Sequence, residues 1–340
     1  MNASDMNRPV VYFDQNMLIE PIEALLTSKN FEAWKRDVII AYSDETITEV
    51  IRSAGLEDRI LDNLDKFDTI RLFRELINFK QTNRFLCQSQ KPRQRFDELK
   101  NNPWFMSFEL NGLAHLHKIF GGDKDRSHND ISSEQLTKLK NVLSTELKNL
   151  GMTEEGIDPI LGLLPQQAVH IDESLFGPKE SNSTPALEFK KILSVDAQKL
   201  NAITDNDIIE QVWELIRNSS KNSIYSEIHD LFPKSGKNPI TGDPFTIPEI
   251  ANNLMLTLNM IGYYPDRKLH KPQQFTASAS DLGHAAWGTL CSAVVTRDGR
   301  FRQRLKATYQ YLKLETCIFD IDLSNGFELV DFWVPETQSS

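Results

Sequence analysis

A chain of 340 residues is long enough to bury one large core or two smaller ones. With 40% hydrophobic and 25% charged residues it has the make-up of an ordinary globular protein, and no stretch approaches the roughly 20 apolar residues of a membrane span. A formal charge of -10 excludes a surface coated in positive potential, so any polyanion must meet a local basic patch.

Residues 1 to 9 are polar and lack the apolar centre of a secretory signal, so a cytoplasmic protein without a membrane role is expected. Cys87, Cys291 and Cys317 have no partner at C-x-x-C spacing. This argues against a disulfide framework and a thiolate zinc site, and for buried, reduced thiols.

In chain order, Val10-Val11-Tyr12-Phe13 reads as a buried strand ending at Asp14, with a helix from about Asn16. Val38 to Tyr42 repeats the pattern, and Ser43 stands where a helix cap belongs, ahead of Ile47, Val50 and Ile51 at helical spacing. From about residue 56 to 265 helical periodicity dominates, as in Leu61-Leu64-Phe67 and Ile70-Phe73-Leu76-Ile77. Gly121-Gly122 and the polar run Lys179 to Pro185 interrupt it, and Lys234 to Pro248 reads as an ordered loop or return linker.

The α/β rhythm then resumes: a helix at about Ala279 to Leu290, a strand at Ser292 to Val295, a helix at about Phe301 to Leu312 and a strand at Thr316 to Phe319. Glu328 to Val334 fits an edge strand. The pattern predicts a mainly parallel sheet with helices on both faces, formed by residues 8–55 and 266–335 and interrupted by a mainly helical insertion at 56–265.

Parallel sheets place their sites at the carboxyl ends of strands, which draws attention to the acids there. Asp14 follows the first strand, with Asn16 two residues on; it either caps the next helix or faces a shared crevice. Glu49 lies in the helix after the second strand, where by itself it fits a solvated face, and Asp44 and Glu45 are nearby substitutes. Asp281 and His284 share one helical face, beside Gly283, Ala285 and Ala286, whose small size allows close approach to the sheet. Each also has a plainer reading, Asp281 as a first-turn acid and His284 as a packing histidine.

In Val294-Val295-Thr296-Arg297-Asp298-Gly299, the Asp-Gly pair can make a hairpin turn. The helical spacing of Phe301, Leu305 and Tyr309 favours strand, turn and helix instead, putting Asp298 at a strand end. Carboxylates converging on one crevice repel one another unless a cation neutralises them, and Mg²⁺ or Mn²⁺ prefers such hard oxygen ligands. Metal-activated water attacking phosphorus is the chemistry such a centre supports.

Taken together, Val-Val-Tyr-Phe-Asp14 with Asn16, Glu49 after a second strand, Asp281-x-x-His284-Ala-Ala, and Val-Val-Thr296-x-Asp298-x-x-Phe301 resemble the PIN-like nucleases. The match covers about the first 55 and last 75 residues. The resemblance implies a three-layer α/β/α domain that binds one or two divalent metals and cleaves nucleic acid, RNA in most members. It implies Asp14, Glu49, Asp281 and Asp298 as catalytic, metal-binding acids, with Asn16 and Thr296 supporting them and His284 as a group behind the ligands.

Arg297, Arg300, Arg302, Arg304 and Lys306 surround the last acid and either contact phosphates or decorate a solvated helix. Lys80, Arg84, Lys91, Arg93 and Arg95, near Phe85 and Phe96, form a second basic stretch suited to single strands. The leading expectation is a nuclease, with a toxin or antiviral effector fitting the plan. The insertion is expected to serve substrate channelling, homo-oligomer formation or an activating partner. One rival is a catalytically silent PIN-like interaction module. Another is a phosphotransferase of the haloacid dehalogenase type with Asp14 as nucleophile, which expects a second Asp where Asn16 stands.

Overall fold

Strand β1 (Val10–Phe13) is buried at every position, as a strand must be when helices cover both faces of its sheet. Its side chains alternate, Val11 and Phe13 entering one core, Val10 and Tyr12 the other. Strand β2 (Ile39–Tyr42) does the same with Ile40 and Tyr42 against Ile39 and Ala41. The computed structural model describes residues 8–77, 80–102, 113–123, 125–162, 185–219, 225–238, 242–324 and 326–335.

With β3 (Thr69–Ile77), β4 (Lys80–Gln88), β5 (Ala293–Val295), β6 (Cys317–Asp322) and β7 (Glu328–Trp333), these strands form a seven-stranded sheet ordered β4-β3-β2-β1-β5-β6-β7. The inner strands β3, β2, β1, β5 and β6 are parallel, and β4 and β7 close the edges antiparallel. The expected mainly parallel α/β sheet is therefore present, and the expected edge strand is β7.

The helices include α1 (Glu20–Leu26), α2 (Phe31–Asp37), α3 (Asp44–Arg52), α4 (Glu57–Leu64), α5 (Pro92–Lys100), α6 (Ala114–Ile119), α7 (His128–Asn149), α8 (Pro185–Leu193) and α9 (Ala197–Asn201). They continue with α10 (Ile208–Ser219), α11 (Ile228–Leu231), α12 (Ile247–Ile261), α13 (Pro272–Gly288) and α14 (Gly299–Tyr311). Ile22 and Leu25 of α1, Ile47 and Val50 of α3, and Ile60, Leu61 and Leu64 of α4 fill the core on one face. Met255 of α12, Leu282 and Ala285 of α13, and Phe301, Leu305 and Tyr309 of α14 fill the other.

From β1 the chain steps outward through β2 and β3 on one side, while β5 and β6 extend the sheet on the other. The helices after β1 and β5, α1 and α14, consequently lie on opposite faces. Such a switch point leaves a crevice at the carboxyl ends of the two strands, because no crossover covers it.

The structure corrects the expected boundaries. Residues 56–100 are not part of a helical insertion: β3 pairs in parallel with β2, Ile40 opposite Thr69, and Phe96 and Leu99 of α5 join the sheet core. Ile70 and Leu72 are buried at strand alternation. Phe73, on the other face and under the Arg71 guanidinium at 5.2 Å, supplied the apparent helical spacing. The helical part is real farther on, and its core of Ile208, Val212, Trp213, Ile216, Leu254 and Leu258 includes Ala307 and Tyr311 of α14. Since α14 presents Phe301, Leu305 and Tyr309 to the sheet and Ala307 and Tyr311 to this second core, the two parts share a helix rather than meeting through a linker. Of the expected breaks, residues 179–184 of the polar run lie outside the described residues.

Close packing of α13 on the sheet depends on Gly288, where a Cβ would stand 2.4 Å from the Tyr309 hydroxyl and 2.5 Å from Val294 Cγ2. All three cysteines are free thiols; only Cys291 is buried, with Cys87 and Cys317 half-buried. Among the described residues no helix is long and apolar enough to cross a membrane.

Asp44, at the start of α3, ties this helix to the β3 and α5 side of the sheet. Its carboxylate accepts paired hydrogen bonds from Arg71 at 3.0 and 2.9 Å and from Arg95 at 2.9 and 2.7 Å. Burial disfavours its charge, but the bonds from Arg95 and Arg71 outweigh it and hold the carboxyl below the usual Asp value. A lowered carboxylate pKa contributes stability above the unfolded value, about 3.9, that is lost as pH falls through the folded one. Asp44→Asn is therefore expected to destabilise the protein by about 2 kcal/mol at pH 7, less than a fully buried pair because Asp44 is partly exposed. Urea denaturation of both proteins checks this, and the gap should close on acidification below the folded pKa.

Candidate metal centre

Asp14 sits where β1 runs into the crevice, and a short 3-10 turn, Gln15–Met17, starts directly after it. Its backbone N–H still joins the sheet, donating to Val295 O at 3.2 Å. Its side chain is held from three sides. Oδ1 accepts from the Gln15 N–H at 2.7 Å, and Oδ2 accepts from Asn16 Nδ2 at 2.6 Å and from Thr296 Oγ1 at 2.7 Å. Thr296 follows β5, is fully buried, and also accepts the Asp298 N–H at 3.1 Å. Asn16 completes the link, its Oδ1 accepting the Arg297 N–H at 3.1 Å. Asn16 and Thr296 thus orient one carboxylate across the switch point.

Glu49 reaches the same place from α3. Ser43 opens this helix with a capping box, placing Glu45 and Glu49 four residues apart on one face. Glu49 is buried although its side chain is a carboxyl group. His284 reaches in from α13, its ring wholly buried, with Nε2 2.6 Å from Glu49 Oε2 and 3.9 Å from Asp14 Oδ1. Ligand-type atoms of Asp14, Glu49 and His284 all lie within 4.8 Å of one another.

The far side of the imidazole is also fixed. Tyr12, one residue before Phe13 on β1, turns to the opposite face and places its hydroxyl 2.8 Å from His284 Nδ1. The same hydroxyl contacts Ser43 Oγ at 2.8 Å and Thr46 Oγ1 at 3.1 Å. Tyr12, Ser43 and Thr46 form a buried polar network that sequence reasoning did not assign to the site; the signal was one tyrosine in an otherwise apolar strand. Next to it, Gly283 leaves room for Glu45, whose Cγ would lie 3.0 Å from a Cβ there, and Glu45 Oε1 accepts from Ser280 Oγ at 2.5 Å.

Electrostatics follows from this crowding. Burial raises the Asp14 pKa; the His284 charge opposes that rise and the Glu49 charge adds to it. Burial alone would lower the pKa of His284, yet Tyr12, Glu49 and Asp14 around it together lift it well above the ordinary histidine value. The site therefore favours positive charge at its centre.

The expected acids are not all brought together. Asp14 and Glu49 join His284, which stands in the centre rather than behind it. Asp281 lies one turn before His284, half-buried, and accepts from Arg304 Nη2 at 3.3 Å. Burial first and the charge of Asp14 second raise its pKa well above the usual Asp value. Asp298 is exposed, and its Oδ1 caps α14 by accepting the N–H groups of Arg300 at 2.8 Å and Phe301 at 2.9 Å. Asp44 is committed to Arg71 and Arg95 and does not substitute for Glu49.

Two of the expected phosphate contacts are corrected. Arg304 is 1% exposed and is held by Asp266 at 2.9 Å and by Tyr264 O at 2.6 Å. Arg302 is 12% exposed, ion-paired to Asp320 at 2.5 Å and stacked over Phe332. Arg297 is exposed, 4.0 Å from Glu20, and Arg300 is half-buried. In the second basic stretch, Arg93 pairs with Asp58 and Asp62, Arg95 with Asp44 and Glu98, and Arg84 with Glu75. These ion pairs tie the surface of the fold together and leave little net positive charge.

Two carboxylates and an imidazole within 4.8 Å of one another are donors of the kind that hold a divalent cation. Ligands about 2.1 Å from one ion stand about 3 Å apart at right angles and about 4.2 Å apart when opposed, so an ion would have to open the 2.6 Å Glu49 to His284 hydrogen bond and draw the wider separation in. Compared with known protein families, curated proteins and solved structures, the chain matches none.

Replacing Thr296 by Val removes the donor to Asp14 and the acceptor for the Asp298 N–H while keeping the side-chain volume. It is expected to cost about 2 kcal/mol, because the buried Asp14 carboxylate loses one of its three donors and the Asp298 N–H loses its acceptor. Chemical denaturation checks this; a loss below about 0.5 kcal/mol would mean that water replaces the hydroxyl.

Proposed function

We propose that this chain is a divalent-metal-dependent endonuclease that hydrolyses phosphodiester bonds, with RNA favoured over DNA by its resemblance to PIN-like nucleases. The observation that carries the reading is the convergence of Asp14, Glu49 and His284, three buried ligand-type side chains, at the switch point of a mainly parallel sheet. Buried carboxylates facing one another at a strand-end crevice are hard to account for as packing alone.

Asp14, Glu49 and His284 would hold the ion, and Asp281, one turn before His284 on α13, would add a carboxylate beside it. When bound, the metal supplies an activated water and charge stabilisation for attack on phosphorus. Asn16 and Thr296 hold Asp14 in one orientation, and Tyr12 fixes the His284 ring through Nδ1, leaving Nε2 for the centre. Arg297 and Arg300 flank the opening and can meet phosphate. Between Mg²⁺ and Mn²⁺ the mixed oxygen and nitrogen donors favour Mn²⁺, since Mg²⁺ prefers an all-oxygen shell.

One observation favours a second reading, the catalytically silent module. His284 is already hydrogen-bonded to Glu49 on one side and Tyr12 on the other, so the cluster is satisfied by protein groups alone.

Incubation with labelled RNA and with single- and double-stranded DNA, in Mn²⁺, Mg²⁺ or EDTA, separates the two. The nuclease reading expects cleavage with metal only, a loss of at least about 100-fold in Asp14→Asn and Glu49→Gln, and a smaller loss in Asp298→Asn. Cleavage that persists in EDTA or in both of the first two variants would overturn it. A protein that binds Mn²⁺ weakly and cuts nothing is what the silent module expects.

A further inference from the structure

The loop from Gly262 to Lys271, which joins α12 to α13, passes beside the metal centre. Asp266 and Asp281 bond the same nitrogen, Arg304 Nη2, at 2.9 and 3.3 Å, and Asp281 lies one turn before His284. From Asp266 the chain runs to the start of α13 at Pro272, about 14 Å of helix away from Asp281. Along this stretch stand Arg267, Lys268, His270 and Lys271, with no acid among them and none in the first turn of α13.

These four side chains are exposed, and among the described residues they form no hydrogen bond or ion pair. The contrast with the two basic stretches considered above is sharp, since the arginines there are taken up by Asp44, Asp58, Asp62, Glu75, Asp266 and Asp320. A chain with a formal charge of -10 needs a local basic patch to receive a polyanion, and this loop supplies one.

The backbone that carries these cations is pinned. Before them, Tyr264 N–H donates to Asn201 Oδ1 at 2.6 Å and Tyr264 O accepts from Arg304 at 2.6 Å. The Asp266 carboxylate accepts from Arg304, from Asn259 at 3.0 Å and from Ser278 at 2.6 Å. Farther on, Lys271 N–H closes a turn onto Lys268 O at 2.9 Å, and His270 O accepts from His117 Nε2 at 3.1 Å. Within this frame Tyr264 and Lys268 hold left-handed backbone angles, φ 42° and 59°. Such angles persist in residues other than glycine only where the surroundings over-determine them, and they gather at functional sites. The cations are thus displayed from a fixed loop, which lowers the ordering cost of binding.

Several cations strung along one stretch fit a chain of phosphates better than a single small anion. A lipid surface would also call for apolar side chains beside the charges, but Leu269 is half-buried and the exposed large apolar side chains lie elsewhere. We infer that the 267–271 loop is the surface that binds the phosphate backbone of a single-stranded RNA substrate, through Arg267, Lys268 and Lys271. The choice of nucleic acid as partner rests on the nuclease reading of the neighbouring centre.

The test is anisotropy of a short fluorescein-labelled single-stranded RNA in EDTA over a range of salt, for the wild type and for the triple variant Arg267→Gln, Lys268→Gln, Lys271→Gln. These side chains have no partner to lose, so the fold is kept. A second triple variant, Lys29→Gln, Lys35→Gln, Lys66→Gln, removes the same charge elsewhere. The loop variant is expected to bind at least about tenfold more weakly at low salt, and its log affinity to fall less steeply with log salt, by about two, since each phosphate contact contributes about 0.7. The second variant is expected to bind like the wild type, and Mn²⁺ binding by calorimetry to be unchanged in both.

Equal losses in the two variants would trace the effect to overall charge and overturn the inference, as would wild-type affinity in the loop variant or no RNA binding by the wild type. Loss of binding to phosphatidylserine vesicles in the loop variant, with RNA binding intact, would assign the loop to a lipid surface instead. The nuclease reading is judged separately: metal-dependent cleavage by the wild type upholds it even if the loop variant binds normally. A selective loss in the loop variant without any cleavage by the wild type keeps the surface and removes the nuclease.

Discussion

The site depends on the parallel pairing of β1 with β5. Asp14 and Thr296 stand 282 residues apart in the chain, and only the register that sets Phe13 opposite Val295 brings the carboxylate and hydroxyl within 2.7 Å. The strand order around this pair places the α1 and α14 helices on opposite faces, which keeps the strand ends open. Loss of this pairing would scatter Asp14, Asn16, Thr296 and the entry to α14 together. The intervening chain contributes three more strands, β2, β3 and β4, and the helical part, and α14 locks both cores to the same helix.

Around this pairing the structure places charge against its own stability. Asp14 and Glu49 are buried carboxyl groups, His284 is a buried imidazole with a raised pKa, and Asp281, one turn before His284, has its own pKa raised. Three hydrogen bonds on Asp14 and three contacts of the Tyr12 hydroxyl compensate part of that burial. Local violation of the usual rules for burial, braced by a surrounding hydrogen-bonded network, is what a preorganised functional centre looks like. Farther out, Arg304 and Asp266 show the same economy of means for structure alone: the arginine is buried and bound on several sides, which removes it from the surface.

Much of this was legible in the sequence. The short runs before Asp14, through Tyr42 and before Thr296 read as buried parallel strands because they are apolar or aromatic throughout and carry no charge. The small residues around His284 announced a helix packed closely on the sheet. Three things were hidden. β3 mixes buried Ile70 and Leu72 with Phe73 under an arginine, and the mixture imitates a helix. Asp298 and Asp14 look alike locally, each a cap after a strand, and only the three-dimensional register separates the exposed one from the buried one. His284 resembles a packing histidine until Tyr12, 272 residues earlier, is seen on its other nitrogen.

Anomalous diffraction from crystals soaked in Mn²⁺ tests the central claim most directly. The account expects one strong peak about 2.2 Å from carboxylate oxygens of Asp14 and Glu49 and from His284 Nε2, with the Glu49 to His284 hydrogen bond opened to admit it. A peak held by Asp281 and Asp298 with that hydrogen bond intact, or no peak in the crevice, would contradict it.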